Sequence, residues 1–197
     1  MANKITLTAQ DGSTVEFYDE IKAQGGVKDV YFSTDKTYVV AFYRKPINAN
    51  DKARINDIVN VHRNRIFTND VVGHYWSAFF AWPTNIVEWK GLTGIVMPFY
   101  DKKFFFSGVA DSWPFIKNGQ EKNGKWFSSA KLINRFVPAD QKGSFLDRLH
   151  MCLKIARAMR RLHAAGLAHS DLSYTSNPQL SPSTCLLRVH VLSLLNY

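Results

Sequence analysis

Short runs of apolar and β-branched positions, broken by polar turn signals, fill residues 1–46. The segments ITLTAQ (5–10), STVEFY (13–18), DVYFS (29–33) and TYVVAFY (37–43) are rich in Val, Ile, Thr, Tyr and Phe. Turn signals at Asp11-Gly12, Gly25-Gly26 and Thr34-Asp35-Lys36 separate them, so each segment is predicted to be a strand. Pro46 closes the last, having no amide proton for a continuing ladder. The pattern then changes. Ile55, Ile58, Val59, His62 and Ile66 recur at three- and four-residue spacing, which predicts a helix over 50–67 capped by Asn50 or Asp51. His62 in that stripe reads as a half-buried packing residue. Two further strands are predicted around 79–89 and 92–100. Residues 101–143 carry FFFSG and KNGQEKNGK and read as an irregular surface excursion with one short helix.

The clearest helix covers 144–165. Ser144 is a suitable N-cap, and Asp147 stands where a carboxylate favours the amide-rich end. Leu146, Leu149, Leu153, Ala156, Met159 and Leu162 form its predicted buried stripe, widened by Cys152 and Ile155. Cys152 is accordingly read as buried filler. Arg157, Arg160 and Arg161 crowd the carbonyl end, and Gly166 supplies a left-handed stop. A strand-rich first half with one helix, followed by a helical part, predicts an α+β protein of two lobes.

Composition narrows the function classes. The 197 residues are 46% hydrophobic, 21% charged and 14% aromatic, which excludes disordered, collagen-like and coiled-coil chains. No apolar run approaches the ~18 residues of a membrane span, and MANKITLTAQDGS lacks the apolar core of a signal peptide. Only Cys152 and Cys185 are present, so a reducing cytoplasm is the expected location and no disulfide framework is indicated. The 25 Lys and Arg against 16 Asp and Glu give a formal net charge of +9. Those cations are scattered, without a basic block or zinc-finger spacing, which argues against nucleic acid and leaves a polyanionic small ligand such as a nucleotide open. His150 and His163 lie too far apart for a metal-ligand motif, and no HExxH or CxxC occurs.

The segment after the long helix reads Leu162-His163-Ala164-Ala165-Gly166-Leu167-Ala168-His169-Ser170-Asp171-Leu172. It resembles the end of the long C-lobe helix and the catalytic loop of the protein kinase fold, where LHxxGxxHxDL recurs. The resemblance implies a β-rich N-lobe with one regulatory helix, then the beginning of a helical C-lobe, with ATP and Mg²⁺ as ligands and nucleotide held between the lobes. It makes Asp171 the carboxylate that accepts the alcohol proton during phosphoryl transfer, with His169 structural. Upstream, residues 23–30 resemble the nucleotide-covering loop G-x-G-x-x-G-x-V; Gly25 matches the middle glycine and Val30 the valine, while Ala23 and Lys28 occupy the other glycine places. Gly25-Gly26 would let backbone amides approach phosphate, and equally suits a plain hairpin turn. Val40-Ala41-Phe42-Tyr43 stands where the family has V-A-I-K. Tyr43 replaces the lysine, so Lys45, on the same face by strand alternation, and Lys28, on the covering loop, are the candidates for the displaced cation. Lys45 reads equally as a solvated strand-end residue. Gly94–Tyr100 resembles the strand running into the hinge, with backbone groups near Met97 and Phe99 at the adenine edge; an ordinary buried strand accounts for the same residues.

Several positions depart from the family pattern. Asp57 is the only interior acid of helix 50–67, where a glutamate is usual. Ser176 stands at the place of the magnesium-holding asparagine, and Ser170 and Ser173 replace the usual arginine and lysine of the loop. No D-F-G or A-P-E occurs, and residues 175–197 contain no Asp, Glu or Lys. The resemblance thus divides the chain into an N-lobe and hinge (1–100), the excursion (101–143), the start of a C-lobe (144–174) and an unrelated or frameshifted tail (175–197). Gly25-Gly26-Val27-Lys28-Asp29-Val30-Tyr31-Phe32 and His169-Ser170-Asp171-Leu172-Ser173-Tyr174 resemble bacterial Ser/Thr kinase-like proteins of tellurite-resistance and stress gene clusters. That likeness implies a von Willebrand A-type protein and a PPM-type phosphatase as partners. The expectation is a kinase-like ATP-binding protein truncated just after the catalytic-loop motif, with transfer impaired because the D-F-G motif and the rest of the C-lobe are missing. Its competitors are a non-catalytic interaction module, presenting Phe104-Phe105-Phe106 with Tyr75-Trp76 and Phe79-Phe80, and a basic nucleic-acid-binding domain.

Overall fold

The computed structural model describes residues 2–67, 75–110, 112–169, 172, 179–182 and 186–190. Its strands are β1 (Lys4–Thr8), β2 (Thr14–Gln24), β3 (Lys28–Ser33), β4 (Tyr38–Tyr43), β5 (Phe80–Ala81), β6 (Asn85–Trp89), β7 (Leu92–Pro98), β8 (Gln179–Ser181) and β9 (Leu186–His190). The α-helices are α1 (Ala49–Asp57), α2 (Arg63–Phe67), α3 (Ala130–Phe136) and α4 (Phe145–Ala164). A π-helical turn, Ile58–His62, joins α1 to α2. The chain divides into two compact units, one of 1–65 with 82–99 and the other of 66–81 with 100–197.

The first unit is a six-stranded antiparallel sheet in the order β1-β2-β3-β4-β7-β6. Period-two alternation separates its faces. One face gathers Val15, Phe17, Tyr31, Val40, Phe42, Val87 and Val96 into a core with Ala9. Phe17, Tyr31, Phe42 and Trp89 meet there at centroid separations of 5.2–5.8 Å, the tilted and edge-on geometry that ring quadrupoles favour. The other face carries Lys28, Val30, Ala41, Tyr43, Ile95 and Met97, as the pairs Lys28↔Tyr43, Val30↔Ala41 and Ala41↔Ile95 require. The helix predicted over 50–67 is present but starts earlier. Asn48 caps it, its side chain accepting from the Asp51 amide at 2.9 Å. At the π turn, the Trp82 indole N–H donates to the Ile58 carbonyl at 2.9 Å.

In the second unit, 101–143 is a packed body with its own core. Phe106, Val109, Ile116, Trp126 and Val137 form the cluster, and Phe104 is buried beside the isolated bridge Phe105↔Glu121. Phe79 and Phe80 are buried as well. Within the phenylalanine run Phe104 and Phe106 are therefore interior packing and Phe105 is half-buried, which leaves it little of the apolar binding surface that an interaction module would present. The predicted strand over 79–89 is split: β5 ends at Ala81 and β6 begins at Asn85, with Pro83 between them unable to donate to a ladder. The segment 175–197, read as an unrelated or frameshifted tail, contributes β8 and β9. These pair antiparallel, and β9 also runs parallel to β5. Leu180 N–H donates to the Lys122 carbonyl and Val189 N–H to that of Phe79, both at 2.7 Å.

Helix α4 matches its predicted extent. Ser144 and Asp147 make a reciprocal capping box. At the other end Gly166 (φ +80°) closes a Schellman turn, its amide donating to His163 and that of Leu167 to Leu162, each at 3.0 Å. The buried face differs from the prediction. Met151, Ala158 and Leu162 are buried, whereas Leu146, Leu149 and Leu153 are about half exposed and Cys152 is exposed. No described helix is long and apolar enough to cross a membrane.

Candidate functional site

Gly25, Gly26 and Val27 connect β2 to β3, and Lys28 is the first residue of β3 after them. Arg44 ties this turn down. Its Nη2 donates to the Gly25 carbonyl at 2.6 Å and its Nη1 to that of Gly26 at 3.4 Å, while its Nε bonds Asp29 at 2.8 Å. The guanidinium holds the Asp29 carboxyl below the ordinary carboxylate range. Neither glycine adopts a left-handed conformation. A Cβ on Gly26 would meet nothing within 4 Å, and one on Gly25 only the Lys28 carbonyl at 3.8 Å. The chain's own geometry therefore requires glycine at neither position; the Gly25 amide donates to the Lys28 carbonyl at 2.9 Å, so its polar backbone is spent within the turn, while the space beside Gly26 is open.

Of the two candidate cations, Lys28 is the one that the fold buries. It lies directly across from Tyr43 in the ladder, only 9% exposed, with its Nζ 4.4 Å from the Tyr43 ring centroid. Loss of hydration pulls its pKa down from 10.5 to about 8, and the negative face of the ring offsets part of that cost. Tyr43 is pushed up to about 12, first by its own burial and then by the negative charge of Asp51. Lys45 stands elsewhere. β4 ends at Tyr43, so strand alternation does not extend to Lys45, which is exposed. Asp57 is exposed too and forms no ion pair among the described residues. The acid whose field reaches this cluster is Asp51 at the start of α1, a residue the sequence marked only as a cap.

Around the cation the face is apolar. Val30 is half-buried, and Ala41 and Met97 are buried. Phe99 differs from expectation, because its amide donates to the Thr37 carbonyl at 3.1 Å and is spent inside the sheet. Asp171, Ser170 and Ser176 lie outside the described residues. Leu172 is exposed. Among the described residues no group of three or more His, Cys, Asp or Glu is placed to hold a metal ion.

The chain aligns over 96% of its length with vaccinia related kinase 3 (TM-score 0.54, 10% identity), covering 50% of that protein. It aligns over 95% with ROP2 from Toxoplasma gondii, described as a virulence factor with a protein-kinase fold and no enzymatic activity (TM-score 0.51, 12% identity), covering 53% of it. The chain has a protein kinase-like fold. It spans about half the length of these two structures. No family model matches the sequence, and no curated protein does. The six-stranded antiparallel sheet, with α1 following β4, matches the N-lobe of the kinase-like fold. β1 is the edge strand beside β2.

Proposed function

We propose that this chain is a kinase-like nucleotide-binding protein, with Lys28 holding ATP phosphates beneath the Gly25-Gly26 turn and the base lying against Val30, Ala41 and Met97. The observation that carries the reading is the placement of Lys28. A lysine missing from its usual strand position, now Tyr43, is replaced from the neighbouring strand by one whose ammonium sits over that same tyrosine. A buried cation without a carboxylate partner is costly unless an anion meets it, and a triphosphate is such an anion. The residues present fit the phosphate and base portions of a nucleotide: a glycine turn open to approach, a poorly hydrated ammonium, and an apolar wall. Magnesium, when bound with ATP, would neutralise charge on the terminal phosphates. Asp171 has the role of proton acceptor by sequence resemblance alone, as does a Ser/Thr hydroxyl the role of phosphoacceptor.

Transfer itself is impaired in this reading. Tyr43 and Ser176 stand where the family has a phosphate-holding lysine and a magnesium-holding asparagine. Loss of one strong electrostatic contact typically costs ~10²–10³-fold in rate. Partners of von Willebrand A and PPM-phosphatase type belong to the same proposal. Calorimetric titration with ATP and Mg²⁺ tests it. Saturable binding that weakens about tenfold or more in Lys28→Ala, and is unchanged in Lys45→Ala, is expected, since a charge-assisted contact is worth roughly 1.5–3 kcal/mol. Absence of binding in the parent chain, or equal binding by Lys28→Ala, overturns the assignment. Radiolabelled ATP should give little or no transfer, and robust turnover abolished in Asp171→Ala would refute the impairment.

A further inference from the structure

The second unit contains a cavity of about 420 Å³ lined by Tyr75, Trp76, Arg157, Arg160, Arg161 and Ala164. The three arginines occupy positions i, i+3 and i+4 on the last turns of α4, and so share one face. Cations at a helix C-terminus commonly serve its unpaired carbonyls. Here those carbonyls already have backbone partners, because the amides of Ala165, Gly166 and Leu167 bond Arg161, His163 and Leu162. The guanidiniums are instead arranged around the cavity. Arg161 donates from Nε and Nη2 to the Ile66 carbonyl at 3.2 and 2.6 Å, and lies 5.5 Å from the Trp76 ring. Arg157 reaches the Tyr75 hydroxyl at 3.4 Å. Neither Arg157 nor Arg160 has an ion pair among the described residues.

Three like charges converging on one concavity repel, and a multiply charged anion relieves that repulsion. Guanidinium forks match the oxygens of a phosphate better than an ammonium does. Tyr75 and Trp76, edge to face at 78° with centroids 5.0 Å apart, supply an aromatic flank, which a bare inorganic anion would leave unused. We propose that this cavity binds an aryl phosphate, with Arg157 and Arg160 on the phosphoryl oxygens, Arg161 fixed behind them, and the ring of the ligand against Tyr75 and Trp76. The ligand chemistry is that of a phosphotyrosyl side chain or of a free phosphorylated aromatic compound, and it is independent of the nucleotide proposed for the sheet face.

Titration of the full chain with phenyl phosphate, inorganic phosphate and a phosphotyrosyl peptide tests this, with far-UV circular dichroism to verify folding of each variant. Phenyl phosphate is expected to bind ~10-fold or more tightly than inorganic phosphate, and to lose at least that factor in the double variant Arg157→Ala/Arg160→Ala. Arg160→Gln alone should lose part of it, and Lys28→Ala none. Peptide binding as tight as that of phenyl phosphate supports a protein ligand, and failure of the peptide alone supports a small molecule. The proposal is overturned if phenyl phosphate does not bind, if it binds no better than inorganic phosphate, or if the arginine variants bind it as the parent does. It is also overturned if only duplex DNA binds and loses affinity in those variants.

Discussion

Lys28 lies buried across the ladder from Tyr43, its ammonium 4.4 Å from the ring centroid. Lys28 was legible as a candidate because it follows a glycine turn, yet nothing in the one-dimensional pattern showed that it would lie under Tyr43 and lose its water. Lys45 was chosen on the premise of continuing alternation, and the premise fails where β4 stops. Gly26 and Gly94 make a useful contrast. Gly26→Ala meets open space at an ordinary φ, so its stability should stay within about 0.5 kcal/mol of the parent while ATP affinity falls. Chemical denaturation and calorimetry on the same sample would check both halves. Gly94 lies across the ladder from Phe42, and a Cβ there would penetrate that ring. Gly94→Ala should therefore destabilise by roughly 1–3 kcal/mol, read as a lowered denaturation midpoint, because Phe42 is locked in the core.

Elements were more legible than faces. Strand positions, the helix after Pro46, and the Ser144–Gly166 limits of the long helix all follow from local chemistry: β-branched runs, capping boxes, glycine stops. Ser144→Ala should cost about 0.5–2 kcal/mol through loss of the capping box, measurable by thermal unfolding. The orientation of α4 did not follow. Apolar residues cover most of its circumference, so the pattern admits several buried faces, and packing selects Met151, Ala158 and Leu162. Leu162→Ala is expected to destabilise by about 2–5 kcal/mol, whereas Leu149→Glu should change stability by about 0.5 kcal/mol or less. The reverse order of effects would restore the stripe read from periodicity. The excursion at 101–143 was misread for a related reason. Short 3₁₀ turns and side chain-to-backbone bonds hold it, and these leave no periodic trace.

For the molecule as a whole, pH is the lever that the burial of Lys28 provides. Folding lowers its pKa from 10.5 to about 8, so the native state releases this proton first as pH rises. Above pH 8 the unfolded chain binds more protons, and stability increases with pH. The full effect is roughly 3–4 kcal/mol. Tyr43, raised from 10 to about 12, works in the opposite sense above pH 10, where the unfolded tyrosine ionises first. A denaturation midpoint that climbs between pH 8 and 10 in the parent, and is flat in Lys28→Met, is the expected outcome; equal slopes would mean that Lys28 is solvated. ATP affinity should decline over the same interval as the ammonium is lost. By itself the sequence determined the strands, the helix limits and the kinase-like order of motifs, since these depend on neighbours within a few positions. Tertiary structure alone decided which lysine is buried, which side of α4 packs, and that three arginines share a cavity with Tyr75 and Trp76. Those outcomes depend on residues distant in the chain competing for the same water-free space.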